Sequence, residues 1–285
     1  MTRTASAAVS RAGLPGITID PVNMAQAVRR CADAVSGGGY LSVGMVNAAK
    51  VVAMTKSEPL CRAVSCCDLV LADGQAVVWA SGLLGVPLPE RVTGIDLFTE
   101  LLGQASRHGY RVYFLGAKAE VLKVMLAKIE SGYPGLVLAG SRDGYFSADQ
   151  ERQVADEIRR SAPDLLFIGM SSPRKELFVA RWGEATGAKV VHGVGGSFDI
   201  LAGITRRAPL WWQRHGLEWL YRASQEPVRL GRRYLSTNLA FMALVARAAL
   251  TRAGGAGRKS RRSVLLAPTA NRATPPGASA GGDAS

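Results

Sequence analysis

The sequence predicts an α/β fold, a Rossmann-like parallel sheet with helices on both faces, followed by a helical appendage rich in arginine and tryptophan. Three observations carry this. Apolar, strand-like runs alternate with helical stretches from residue 17 to residue 203, the rhythm of a parallel sheet with crossover helices. The run Asp164-Leu-Leu-Phe-Ile-Gly169 is continuously apolar between its ends, as a strand covered on both faces must be. Beyond Gly203, arginines interleave with aromatic residues and the alternation stops.

The elements follow in order. Residues 1–16 are small and polar and are expected to be disordered. Asp20-Pro21 reads as a helix start, with Asp at the N-cap and Pro at the first helical position; Met24, Ala27, Val28, Cys31 and Val35 follow at helical spacing and Gly37-Gly38-Gly39 ends the run. Tyr40–Val46 is a strand, and Asn47 can cap a helix reaching Ser57. Asp68–Ala72 is a strand closed by Asp73-Gly74, with a helix over Gln75–Leu84. Asp96–Arg107 and Ala119–Glu130 are helices around a strand at Tyr110–Leu115, and Leu136–Ala139 is a further strand. Ser147 and Gln150 form a capping box for a helix to Arg160. Asp164–Gly169, Pro173–Ala185 and Lys189–Val194 then read as strand, helix and strand. These define a core over residues 17–203. Residues 204–252 form a helical membrane- or phosphate-binding appendage, with a helical run at Tyr234–Leu250, and residues 253–285, rich in Gly, Ala, Ser, Pro and Arg, are expected to be disordered.

Charge is distributed unevenly. Of the net +13, residues 1–205 carry only +2, whereas residues 206–285 hold 14 Lys+Arg against Glu218, Glu226 and Asp283. Such asymmetry points to an anionic partner near the C-terminus; a solvated basic tail would look the same. Cys31, Cys61, Cys66 and Cys67 lack zinc-type spacing and suit a reducing compartment. No secretory signal and no apolar run of roughly 20 residues is visible, so a non-integral protein is expected.

Ligands of parallel sheets bind beyond the C-terminal strand ends, which directs attention to the loops after residues 46, 72, 115, 169 and 194; the charged C-terminal segment adds a further place. Asp73, closing a strand, can take a proton from an attacking hydroxyl, or simply cap the next helix. Ser171-Ser172-Pro173, followed by Arg174 and Lys175, opens a helix whose free N–H groups would suit a diphosphate, or is ordinary capping. Gly193-Val-Gly195-Gly196 lets backbone approach a ligand, although Phe198 stands where a dinucleotide fingerprint has its last glycine. The Trp/Arg segment either meets a lipid headgroup surface or covers the core. His108, His192 and His215 show no metal spacing and no Asp-x-Asp occurs, so no metal or other cofactor is expected and leaving-group charge would fall to Arg, Lys and backbone N–H groups.

Several strings, taken in order, match one family. They are Asn47-Ala-Ala-Lys-Val-Val, Ala72-Asp-Gly74, Pro89-Glu-Arg-Val-Thr-Gly-Ile-Asp96, Phe114-Leu-Gly-Ala117, Tyr133-Pro-Gly135 and Asp143-Gly-Tyr-Phe146. Ser172-Pro173, Gly193-Val-Gly-Gly-Ser-Phe-Asp199, Arg207-Ala-Pro209, Gly216-Leu-Glu-Trp-Leu-Tyr-Arg222, Glu226-Pro227 and Arg232-Arg-Tyr234 continue the series. The chain resembles the WecG/TagA/CpsF family of bacterial glycosyltransferases over residues 17–250. The resemblance implies an inverting transferase that takes a UDP-sugar donor and a sugar acceptor on polyprenyl diphosphate. It implies Asp73 as general base, Asn47 as a pocket residue, and Arg91, Arg207, Arg222, Arg229 and Arg233 as phosphate-binding candidates. Ser172, Lys175, Glu176, Gly195 and Gly196 complete the expected donor- or acceptor-binding set. Two departures bear on sugar specificity: Met45 where the family usually has Thr, and Lys175 where it usually has Gln.

The expected setting is therefore the inner face of the cell membrane, with the protein cytoplasmic and peripheral on anionic lipid, and with no nucleic-acid partner. The apolar helix at Tyr234–Leu250 could equally pack on a second subunit. Two other classes fit the sequence less well. A Rossmann-type oxidoreductase needs glycines after its first strand, and Val46-Asn47-Ala48-Ala49 has none. A basic membrane- or nucleic-acid-binding protein leaves the strand-end motifs without purpose.

Overall fold

The computed structural model describes residues 12–225 and 232–264. Two short antiparallel strands, β1 (Ala12–Leu14) and β2 (Ile17–Ile19), open it, so ordered structure begins inside the segment expected to be disordered. Asp20 does not start the first helix. Its N–H donates to the Val70 carbonyl and its carboxylate accepts the Val70 N–H, both at 2.8 Å. Helix α1 (Met24–Ser36) is capped instead by Asn23 in a reciprocal box with Gln26. A tertiary bond has won over a local capping signal.

Strands β3 (Leu41–Val46), β4 (Leu69–Ala72), β5 (Arg111–Gly116), β6 (Val137–Arg142), β7 (Leu165–Gly169) and β8 (Val190–Gly193) form one sheet in the order β4-β3-β8-β7-β5-β6. Every neighbouring pair is parallel. Side chains alternate between two covered faces, as a period of two requires. Val43, Met45, Leu71, Phe114, Phe167 and Val190 face one cluster, packed with α1, α5 (Gly94–His108), α6 (Ala119–Gly132) and α9 (Ser197–Ala202). Its centre is a set of fully buried rings, Phe98, Phe114, Phe167 and Phe198. The opposite face meets α2 (Ala48–Met54), α3 (Glu58–Ser65), α4 (Gln75–Leu83), α7 (Glu151–Arg160) and α8 (Arg174–Trp182).

The helix expected to reach Ser57 stops at Met54 as α2, and a further helix that the sequence reading did not include, α3, follows with Ser57 as its N-cap and Pro59 in its first turn. The Ser147–Gln150 box is present and closes a 3-10 turn leading into α7.

The C-terminal part contains α10 (Leu210–Arg214), α11 (Glu218–Gln225) and α12 (Arg232–Val264). The last is longer than the helix expected at Tyr234–Leu250 and enters the segment expected to be disordered. Phe241 and Val245 of α12 are buried among Val51, Val52 and Leu60, while Leu239 and Met242 point outward. Arg252 donates to the carbonyls of Leu84 and Gly13, tying α12 to α4 and β1. No helix among the described residues is long and apolar enough to cross a membrane.

Candidate active site

Val46 and Ala72 are register partners at the ends of β3 and β4, so the next residues, Asn47 and Asp73, leave the sheet side by side. They are close enough that a Cβ on Gly74 would lie 3.2 Å from that of Asn47. Asn47 caps α2, its side-chain oxygen accepting the Lys50 N–H at 2.9 Å, which leaves its amide nitrogen to meet a ligand. Asp73 is half-buried, and its Oδ1 accepts the Gly94 N–H at 2.8 Å. Gly94 is the first residue of α5, where N–H groups have no intrahelical partner and the helix dipole favours negative charge. A 15-residue helix therefore ends its positive pole on the Asp73 carboxylate.

The same helix turn holds an arginine. Thr93 caps α5 and bonds Asp96, and Arg207 reaches both Asp96 oxygens, at 2.6 and 2.8 Å. Burial works against the Arg207 charge, but Asp96, with Glu218 and Asp73 behind it, outweighs burial and raises its pKa. Burial likewise opposes the Asp96 charge, and the bonds from Arg207 and Thr93 overcome it and lower the carboxyl pKa. Arg91 donates to the Gln213 carbonyl at 3.2 Å and lies 3.4 Å from Glu218. Through these contacts α10 and α11 are fastened over the end of β4. Gly216, in a left-handed turn (φ +71), sits so close to Gln75 that a Cβ would approach to 2.7 Å; only glycine permits that docking.

On the other side of Asp73 lies a buried charge cluster. Glu176 Oε1 accepts from Lys50 at 2.6 Å and from Lys175 at 3.0 Å. Burial by itself would raise the Glu176 carboxyl, but the two ammonium groups bring it down to about 2. Burial lowers the pKa of Lys175, and Lys50 lowers it further, against the pull of Glu176 and Asp73. Lys175 runs under the β8 turn, its Nζ 3.6 Å from where a Gly195 Cβ would be. Gly195 adopts φ +55, and Gly196 is exposed.

The structure thus gathers Asn47, Asp73, Arg91, Lys175, Glu176, Gly195 and Arg207 around the ends of β3, β4 and β8. Ser172 is exposed beside a cis Ser172-Pro173 bond and is not the cap of α8; Pro173 is, and the Lys175 N–H is already bonded to the Ser171 carbonyl. The expected anion site at this helix start is therefore less open than the sequence suggested. Arg222 and Arg233 fall on α11 and α12, and Arg229 lies outside the described residues. Sequence reasoning missed Lys50, Asp96, His192 and Glu218, all of which meet the site through partners distant in sequence. Lys50 could have been suspected from its place in the Asn47-Ala-Ala-Lys string. Among the described residues, no group of three or more His, Cys, Asp or Glu side chains is arranged to hold a metal ion.

Comparison with known proteins identifies the family. The model of the glycosyl transferase WecG/TagA/CpsF family matches residues 12–255. An N-acetylglucosaminyldiphosphoundecaprenol N-acetyl-beta-D-mannosaminyltransferase of Bacillus spizizenii is 40% identical over 173 residues, 61% of this chain and 66% of that protein. A protein of the same name from Bacillus subtilis is 37% identical over 188 residues, 66% of this chain and 72% of the relative. With a family match that spans most of the sequence, the chain belongs to the glycosyl transferase WecG/TagA/CpsF family.

Proposed function

We propose that the protein is an inverting glycosyltransferase that moves a HexNAc- or hexose-type sugar from a UDP donor to a saccharide on polyprenyl diphosphate, in the assembly of a cell-surface polysaccharide. One observation carries the reading: the Asp73 carboxylate stands on the N-terminus of α5, within the electrostatic reach of both Lys175 and Arg207, at the ligand edge of the sheet. The names of the two relatives, which specify a lipid-linked GlcNAc acceptor, support the acceptor class.

In this mechanism Asp73 takes the proton of the acceptor hydroxyl as its oxygen bonds to the anomeric carbon. The bond from that carbon to the UDP oxygen breaks on the opposite face, inverting the centre. Positive groups aimed where charge develops, Arg91, Arg207 and Lys175, together with the Gly196 N–H (the Gly195 N–H is already bonded to the Ile168 carbonyl), stabilise the departing diphosphate without a metal ion. Each arginine is already paired with a carboxylate, which keeps it aimed before substrate arrives.

The exposed side chains of Leu210, Trp211, Trp219 and Leu220, with Arg206 and Arg214 beside them, suit contact with anionic headgroups at the inner membrane face. Trp79 and Leu83 of α4 extend this surface, and Trp79 packs beside the Gly216 turn.

The test is a panel of UDP-sugars incubated with a short-chain polyprenyl diphosphate GlcNAc, with and without EDTA, and mass analysis of the product. Added hexose or HexNAc mass with inverted anomeric configuration is expected in both conditions. No transfer from any donor would overturn the reading.

A further inference from the structure

His192 is the third residue of β8, a central strand whose neighbours Val190, Val191 and Val194 are apolar and buried. Its ring is fully buried, edge-on to Phe167. An apolar residue would fill this place with no unpaired atom, yet the Nδ1 of His192 is buried with no hydrogen-bond partner. Such a group costs folding free energy, so something else must hold the imidazole here.

The other ring nitrogen shows what. Nε2 lies 3.0 Å from the Gly94 carbonyl oxygen. A carbonyl only accepts, so Nε2 carries the hydrogen and Nδ1 the lone pair. Burial, with Lys175 and Lys50 nearby, pushes the imidazole down to about 4, against the pull of the Gly94 carbonyl. The ring is therefore a fixed neutral donor at physiological pH. Gly94, whose carbonyl it grips, is the residue whose N–H bonds the Asp73 carboxylate at 2.8 Å. No atom of His192 is exposed to meet a substrate. Its influence must pass through the first turn of α5.

We propose that His192 is a positioning residue: by anchoring the Gly94 carbonyl it holds the α5 N-terminus where the Gly94 N–H meets Asp73. This rests on the glycosyltransferase reading above and adds to it a residue that no strand-end motif identifies. A carboxylate bonded by that N–H favours its charged form. Other charges face the same pocket and are untouched by changes at His192: Lys50, Lys175 and Glu176 from α2 and α8, Arg91 and Asp96 from the α5 approach, and Arg207 and Glu218 from the C-terminal segment.

The experiment uses the full chain with the UDP-sugar and polyprenyl acceptor found active above. His192→Leu removes the donor, and kcat is expected to fall roughly tenfold, about one net hydrogen bond's worth, with donor KM changed by less than about threefold. The acidic limb of kcat/KM should move to higher pH. His192→Gln, which keeps an N–H at similar reach, should recover most of the rate and return the limb. In an Asp73→Asn background most of the Leu effect should vanish, because the two residues act as one unit. Full-size loss in that background, or an unmoved acidic limb, would overturn the proposal. If His192→Leu does not fold, the Gln variant decides: a loss of about tenfold at native melting temperature refutes the inference. Transfer by the wild type with His192→Leu equally active sinks this inference alone, whereas no transfer by the wild type sinks the underlying reading and the inference with it.

Discussion

Replacing Glu176 with glutamine is the sharpest physical probe of this site. The substitution keeps shape and removes one negative charge from between two ammonium groups. Lys50, Lys175 and Glu176 have side chains only 8%, 12% and 8% exposed, so water can do little to screen what is left. Both lysines bond the same carboxylate oxygen, which puts their nitrogens within ~5–6 Å of each other; at an effective dielectric of about 20 their repulsion is about 3 kcal/mol. Linkage gives a similar figure. A carboxyl at about 2 in the fold, against 4.5 without it, contributes about 3 kcal/mol. That contribution is complete above the unfolded pKa and is lost as pH falls from about 4.5 toward 2. The variant should therefore lose about 3 kcal/mol in urea unfolding at pH 7, within the range for broken buried pairs. Part of the loss should return at alkaline pH, where Lys175, already depressed by burial, sheds its proton. Adding Lys50→Met should restore much of the stability at neutral pH. A loss under about 1 kcal/mol with an unchanged m-value, or one indifferent to pH, would refute the buried-cluster reasoning.

Three further outcomes are expected. Asp73→Asn should lower turnover by about 10²–10⁴-fold with an unchanged melting temperature, and near-normal turnover would remove it from the role of base. His192, at about 4 in the fold against 6.5 free, should cost the wild type about 3 kcal/mol as pH falls from about 6.5 to 4; His192→Gln should flatten that part of the stability curve. Trp79→Ser with Trp211→Ser should weaken binding to anionic vesicles by about tenfold or more without changing transfer to a detergent-soluble acceptor, each buried ring contributing about 1–2 kcal/mol; equal vesicle binding would discard the membrane surface.

Much of the fold is legible in the sequence because buried parallel strands carry their own signature. Leu69–Ala72 and Leu165–Gly169 are apolar without interruption and end in turn residues, and the first of those ends locates Asp73, beside which Asn47 follows the end of Leu41–Val46. What escapes is settled at long range. Asp20-Pro21 has the right local form for a helix start, but Asp20 is claimed by Val70, fifty residues away. Helix α3 is only eight residues long, with Leu60, Ala63 and Val64 as its buried face, too few apolar positions to show a helical period. Arginines 91 and 207 read as free phosphate ligands because Glu218 and Asp96 meet them only after folding. His192 reads as a strand residue with no metal spacing; its tie to Gly94 spans 98 positions.

The way α12 lies against the core sets a bound on what the tryptophan-bearing segment can do. With Phe241 and Val245 sunk beside α2 and Arg252 hooked to two backbone carbonyls, the segment carrying α10 and α11 is moored downstream as well as upstream, where α9 packs on α6. Undoing the Arg207 and Arg91 pairs would slacken it without casting it off. Under the proposed function, a substrate would be admitted by a small local shift, with both arginines kept close to the sheet edge throughout.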